Sequence, residues 1–170
     1  NGGVDGVSSH TRGGRGGRSV TGYGGAGTGG TIQNESAKGG DFRSTSSLSL
    51  SYMNFTNTAT GNLAANTTCG DALNGTNGPT NCNANISLLT VTTATLNNVM
   101  ATQSNQIGID VNGGSNLTLT NVTATGNGNE TFEDGVQIVN LSGTLTISGG
   151  LYKDNAATQF EVPNARGAER

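Results

Sequence analysis

Tryptophan is absent from this sequence, histidine occurs once, as His10, and proline only twice. A serine nucleophile needs a base and an orienting acid. With His10 as the sole imidazole, inside a glycine-rich stretch, the many Ser and Thr hydroxyls have no partner for that chemistry. Charged residues make up 11% of the 170 positions, aromatics 4% and hydrophobic residues 31%. Globular domains run to about 45–50% apolar and about 25% charged. Scarce charge argues against highly charged disorder, and scarce apolar side chains argue against a thick spherical core. No apolar run approaches the roughly 20 residues that span a bilayer, so no membrane span is expected. The formal net charge of −3 and pI of about 4.9 leave no overall basic face for nucleic acid. No signal peptide is visible and Asn1 opens the chain without Met, which reads as a mature protein or an excised fragment.

What fills the gap is Gly, with 29 residues, and Asn, Thr and Ser. A thin core, many turns and long β-ladders reconcile this composition with folding. A solenoid provides all three, because each coil packs only on its neighbours. The length suits one domain. Cys69 and Cys82 flank a stretch made almost wholly of turn-formers. A disulfide closing it is expected, contributing roughly 3 kcal/mol if unstrained and implying an oxidising, extracellular setting.

Residues 1–30 are glycine-rich and read as an arm or linker, with Arg12, Arg15, Arg18 and Tyr23 as candidate assembly residues. From residue 31 short alternating runs begin. Residues 48–55 alternate apolar and polar with a slip at Tyr52, and residues 117–124 repeat the form with a slip at Asn121. Residues 145–152 and 95–101 are further copies. Each has strand period, and the slip predicts a corner between two strands. Second runs lie between them at 86–89, 107–111, 136–139 and 160–162. Leu96 and Leu119 are 23 residues apart, and Leu119 and Ile147 are 28 apart. A period of this size signals a solenoid, with Leu50, Leu96, Leu119 and Ile147 expected to line its core. Asn105, Asn127 and Asn155 follow successive corner strands at similar offsets and are expected to stack as an Asn ladder. The expected organisation is an arm over 1–30, a solenoid over 31–165 and a tail over 166–170.

Residues 116–127 (Asn-Leu-Thr-Leu-Thr-Asn-Val-Thr-Ala-Thr-Gly-Asn) and 133–138 (Glu-Asp-Gly-Val-Gln-Ile) resemble coils of right-handed parallel β-helix proteins. That broad group includes pectate-lyase-like enzymes, autotransporter passengers and long repetitive bacterial surface proteins. The resemblance spans about residues 45–162, and the Thr/Asn/Gly richness is most similar to the surface proteins. It implies an all-β, right-handed parallel β-helix of three stacked sheets with alternate residues buried.

Several chemistries were weighed against a plain polar surface. If Asp110, Gln137 and Glu161 occupy equivalent outward slots, rungs of about 4.8 Å set Asp110 and Glu161 roughly 9–10 Å apart, near the upper separation of inverting glycosidases. The Asp doublet and His-containing coil of polygalacturonase-like enzymes are missing, as is a placed Arg or Lys for lyase chemistry, since Arg43 and Lys153 are isolated. Glu130, Glu133 and Asp134 form the densest acidic cluster and could offer oxygen ligands to calcium, but match no defined calcium loop. Arg12, Arg15 and Arg18 resemble an RNA-binding segment, with only Tyr23 to stack. Thr118/Thr120 and Thr144/Thr146 are two offset pairs, short of the flat array of ice-binding solenoids. Asn-x-Ser/Thr sequons at Asn34, Asn54, Asn66, Asn74, Asn85, Asn116, Asn121, Asn129 and Asn140 reflect composition.

The expectation is therefore an extracellular structural module, no enzyme, with no cofactor and no metal. Its expected partners are further copies forming a homo-oligomer or filament, flanking repeats of the same chain, or a glycan or host surface. The alternatives are an adhesin segment and a polysaccharide-active β-helix enzyme.

Overall fold

The structure is a computed structural model that describes residues 7–10, 17–21, 25, 29–61, 83–130 and 133–162. It is an all-β parallel solenoid of three sheets, each five strands deep. Sheet A stacks β1 (Val7–His10), β4 (Gly40–Arg43), β7 (Ala84–Leu89), β10 (Ile107–Asn112) and β13 (Val136–Val139). Sheet B stacks β2 (Gly17–Thr21), β5 (Ser47–Ser51), β8 (Ala94–Asn97), β11 (Ser115–Thr120) and β14 (Ser142–Ser148). Sheet C stacks β3 (Thr31–Gln33), β6 (Asn54–Thr56), β9 (Met100–Thr102), β12 (Thr123–Thr125) and β15 (Leu151–Lys153). Every ladder is parallel, so each rung contributes one strand to each sheet.

The corners follow from backbone conformation. After β5, β8, β11 and β14 comes a left-handed residue: Tyr52 (φ 59°), Asn98 (53°), Asn121 (49°) and Gly149 (66°), the last followed by Gly150 (104°). These are the positions of the slips in the alternating runs. A second such column leaves sheet C at Asn34, Asn57, Gln103, Gly126 and Asp154, and a third leaves sheet A at Ser44, Thr90, Gly113 and Asn140. Asn and Gly dominate because their short or absent side chains tolerate positive φ.

The core is a set of one-residue columns. Phe42, Leu88, Val111 and Ile138 stack on sheet A. Leu50, Leu96 and Leu119, all fully buried, stack on sheet B, and Phe55, Ala101 and Ala124 on sheet C. Burying each large aliphatic contributes about 1.5–3 kcal/mol. Ile147 continues the Leu119 column but is 45% exposed. It differs from the core role expected of it because no rung lies beyond β14 among the described residues to cover it.

The glycine-rich N-terminal stretch is more than an arm. Val7–His10 pairs in register with Gly40–Arg43, and Gly17–Thr21 with Ser47–Ser51, so the solenoid extends N-terminal of residue 31. Small residues suffice there because the neighbouring rung templates the strands through ladder pairing along one side. Among the described residues no helix is long and apolar enough to cross a membrane.

Candidate functional site

Sheet A carries the chemistry. On its strands the residues between core positions form a polar column in register: Asp41, Ser87, Asp110, Gln137 and, through an isolated bridge, Glu161. The alignment of Asp110, Gln137 and Glu161 expected from sequence is thus the observed one. Their setting differs from expectation. All five residues are buried, Gln137 completely, and β7, β10 and β13 are buried at nearly every position, on both faces of the sheet. The outer positions of sheets B and C remain at least partly exposed.

Burial has electrostatic consequences. Lys38, itself buried, lies 3.5 Å from Asp41, and Arg43 Nε donates to the same carboxylate at 2.8 Å. Asp110 is less well matched. Desolvation pushes its carboxyl up to about 7, outweighing the attraction of Lys38, with repulsion from Asp41 adding to the rise. Farther along, the Asp134 carboxyl is driven up to about 8, first by burial and then by the adjacent Glu161 carboxyl. Both amide atoms of Gln137, Asp134 Oδ2 and Glu161 Oε1 are buried without a hydrogen-bond partner.

The acidic cluster expected at Glu130, Glu133 and Asp134 does not converge. Glu133 accepts from the backbone N–H groups of Asn129 (2.5 Å) and Glu130 (2.7 Å) and from Gln106 Nε2 (2.7 Å). Burial raises its pKa against the pull of those backbone donors. Asp134 instead accepts from the Thr158 N–H at 2.9 Å and reaches Glu161. Among the described residues no three His, Cys, Asp or Glu side chains are placed to hold a metal ion.

A second polar column fills the corner between sheets C and A. Asn127 Nδ2 donates to Ala101 O (3.0 Å) and Asn155 Oδ1 (2.9 Å), while its own Oδ1 accepts from Asn85 Nδ2 and the Ser104 N–H, both at 3.0 Å. Thr58 Oγ1 donates to Asn85 Oδ1 at one end, and Asn155 Nδ2 donates to Gln159 Oε1 at the other. Asn127 and Asn155 therefore stack as expected, but Asn105 does not join them. The pairing of Met100–Thr102 with Thr123–Thr125 brings Ser104 level with Asn127. Asn105 is one position too far and reaches Thr60 O instead, at 3.4 Å. Asn85 was the missed member. Gly108 and Gly135, beside Asn127 and Asn155, leave the ladder the necessary room: a Cβ on Gly108 would stand 2.6 Å from Asn127 Nδ2, and one on Gly135 would meet Asn155 Nδ2.

On the outer face of sheet B the two Thr pairs are offset, as expected. A register shift between Ser115 and Leu117 sets Thr118 beside Thr146 and Thr120 beside Ser148. With Ser49, Thr95, Ser51 and Asn97 these make two in-register, charge-free columns. His10 lies in β1, paired with Arg43. Arg18 lies in β2, paired with Leu48. Arg12, Arg15, Tyr23, Cys69 and Cys82 fall outside the described residues, and with them the expected disulfide. Compared with family models, curated proteins and solved structures, the chain shows no match.

Proposed function

We propose that this chain is a structural module of an extended extracellular solenoid, which grows by head-to-tail stacking of copies. The observation that supports this most is the uncovered last rung. Among the described residues, strands β14 and β15 each have a partner on one side only, and the interior column that is fully buried at Leu96 and Leu119 ends on the exposed Ile147. Unpaired strand edges are templates for pairing. At the other end β2 and β3 are likewise outermost. A copy placed head to tail would set β2 beside β14 and β3 beside β15 with all strands still parallel. Such a heterologous contact does not close and yields filaments. The extracellular setting rests on the two cysteines.

Light scattering across a concentration series of the wild type and Ile147→Glu tests the reading. Association that grows with concentration in the wild type and is lost in the variant, at unchanged thermal unfolding, is expected. A wild type that stays monomeric at every concentration and pH refutes it.

The two uncharged polar columns of sheet B favour one second reading, an adhesin segment whose flat face meets a neutral glycan surface. Binding of soluble or immobilised glycans that is lost in Thr95→Lys with Thr118→Lys would support it.

A further inference from the structure

Sheet A ends differently from its neighbours. Where sheets B and C stop at β14 and β15, the outer edge of β13 is covered by residues 155–162, a strap short of a full rung. The Gly135 N–H donates to Thr158 O (2.9 Å), the Ile138 N–H to Glu161 O (2.9 Å), and the Glu161 N–H to Val136 O (2.8 Å). Phe160 meets Tyr152 edge-on with ring centres 5.1 Å apart. Residues 155–157 are held further by the Ala156 N–H to Asn127 O (2.8 Å), the Ala157 N–H to Glu133 O (3.2 Å) and the Asn155 side chain in its ladder, so the part of the strap that depends on the β13 edge is 158–162.

The side chains beneath the strap supply the rest. Asp134, just before β13, accepts from the Thr158 N–H, and its other oxygen is buried and unpartnered, as is Glu161 Oε1. The two carboxyls lie within hydrogen-bonding reach. One proton between them satisfies both oxygens at once. Without it, two carboxylates face each other out of water, an arrangement that burial and like charge both penalise. The other charged groups packed nearby do not relieve it. Asp110 lies two rungs along the same column, Glu133 is occupied by Gln106 and the 129–130 turn, and Lys38 and Arg43 are bound to Asp41. Fully buried Gln137, with neither amide atom partnered, stands in register between Asp110 and Glu161.

We propose that a proton shared by Asp134 and Glu161 latches the strap onto β13, and that its loss frees the strap and bares the β13 edge, so that all three sheet edges open together to the next copy. This rests on the stacking function proposed above and adds its regulation. Asp134 holds its proton to about pH 8, well above the 3.8 of a free Asp. The stabilisation of the latch is therefore fully present in acid and is lost as pH rises through about 8.

Hydrogen exchange on the full chain at pH 6 and pH 9, corrected for intrinsic rates, tests the latch without reference to assembly. In the wild type the amides of Gly135, Ile138 and Glu161 are expected to lose about 100-fold in protection between pH 6 and pH 9, tenfold for each of the roughly two pH units below the transition near 8. Those of Ile109 and Val111 should keep theirs. Glu161→Gln, whose amide N–H donates to Asp134 in place of the proton, should stay closed at both pH values. Equal wild-type protection at both pH values, loss in Glu161→Gln as well, or loss that includes Ile109 and Val111 would each overturn the latch. Light scattering at the same two pH values separates the two ideas. Strap release without association supports the latch and sinks the stacking reading, whereas association with a closed strap sinks the latch.

Discussion

Replacing Asp110 with Asn probes the buried column most directly. Asp110 is 4% exposed, and burial lifts its carboxyl from 3.8 to about 7. A folded-state pKa above the unfolded value means that the folded protein binds the proton more tightly. Its stabilising contribution is then complete below pH 3.8 and disappears as pH rises through about 7. At 1.36 kcal/mol per pH unit the separation corresponds to about 4 kcal/mol between pH 4 and pH 8, large against a typical folding stability of about 5–15 kcal/mol. Asn is uncharged and nearly isosteric. Asp110→Asn should therefore match the wild type at pH 4 and exceed it by up to about 4 kcal/mol at pH 8. Urea unfolding followed by far-UV circular dichroism, at both pH values and with equal m-values, measures this. A variant shifted equally at the two pH values, or one less stable than wild type at pH 8, would mean that the folded state stabilises the Asp110 carboxylate, contrary to the reasoning.

Four further substitutions test the scaffold. Gly108→Ala would place a Cβ 2.4 Å from Gly135 O and 2.6 Å from Asn127 Nδ2, and should lower the melting temperature by an amount equivalent to roughly 2 kcal/mol or more. Asn127→Ala removes four buried hydrogen bonds and should cost about 3–5 kcal/mol, whereas Asn105→Ala, at a half-buried position with one long contact, should cost under about 1 kcal/mol; paired denaturant melts compare the two. Thr90 is a β-branched residue at φ 56° in a column otherwise formed by Ser44, Gly113 and Asn140. Thr90→Asn should raise stability by about 1 kcal/mol, read as a higher melting temperature.

The solenoid was legible because its two determinants are local. Period-2 runs show which residues face the core, and the slips at Tyr52 and Asn121 mark the left-handed corners. The alignment of Asp110 with Gln137 and of Gln137 with Glu161 followed from matching the second runs. What escaped depends on neighbours. Gly17–Thr21 has only Val20 as an apolar residue, yet it is a strand because Ser47–Ser51 templates it. Asn105 looked equivalent to Asn127, but the pairing of β9 with β12 fixes the corner length and puts Ser104 there. Alternation set Asp110 and Glu161 on the face away from the core but carried no information about what covers that face, so their burial was unforeseen. Ile147 has a core letter at a core position and is exposed for want of the next rung.

Growth by stacking is the central claim, and electron microscopy of concentrated native protein tests it most directly. The account predicts rods far longer than the roughly 20–25 Å of five stacked rungs, with an axial repeat of about 4.8 Å, and their disappearance in Ile147→Glu. A field of uniform single particles at every concentration and pH would contradict it.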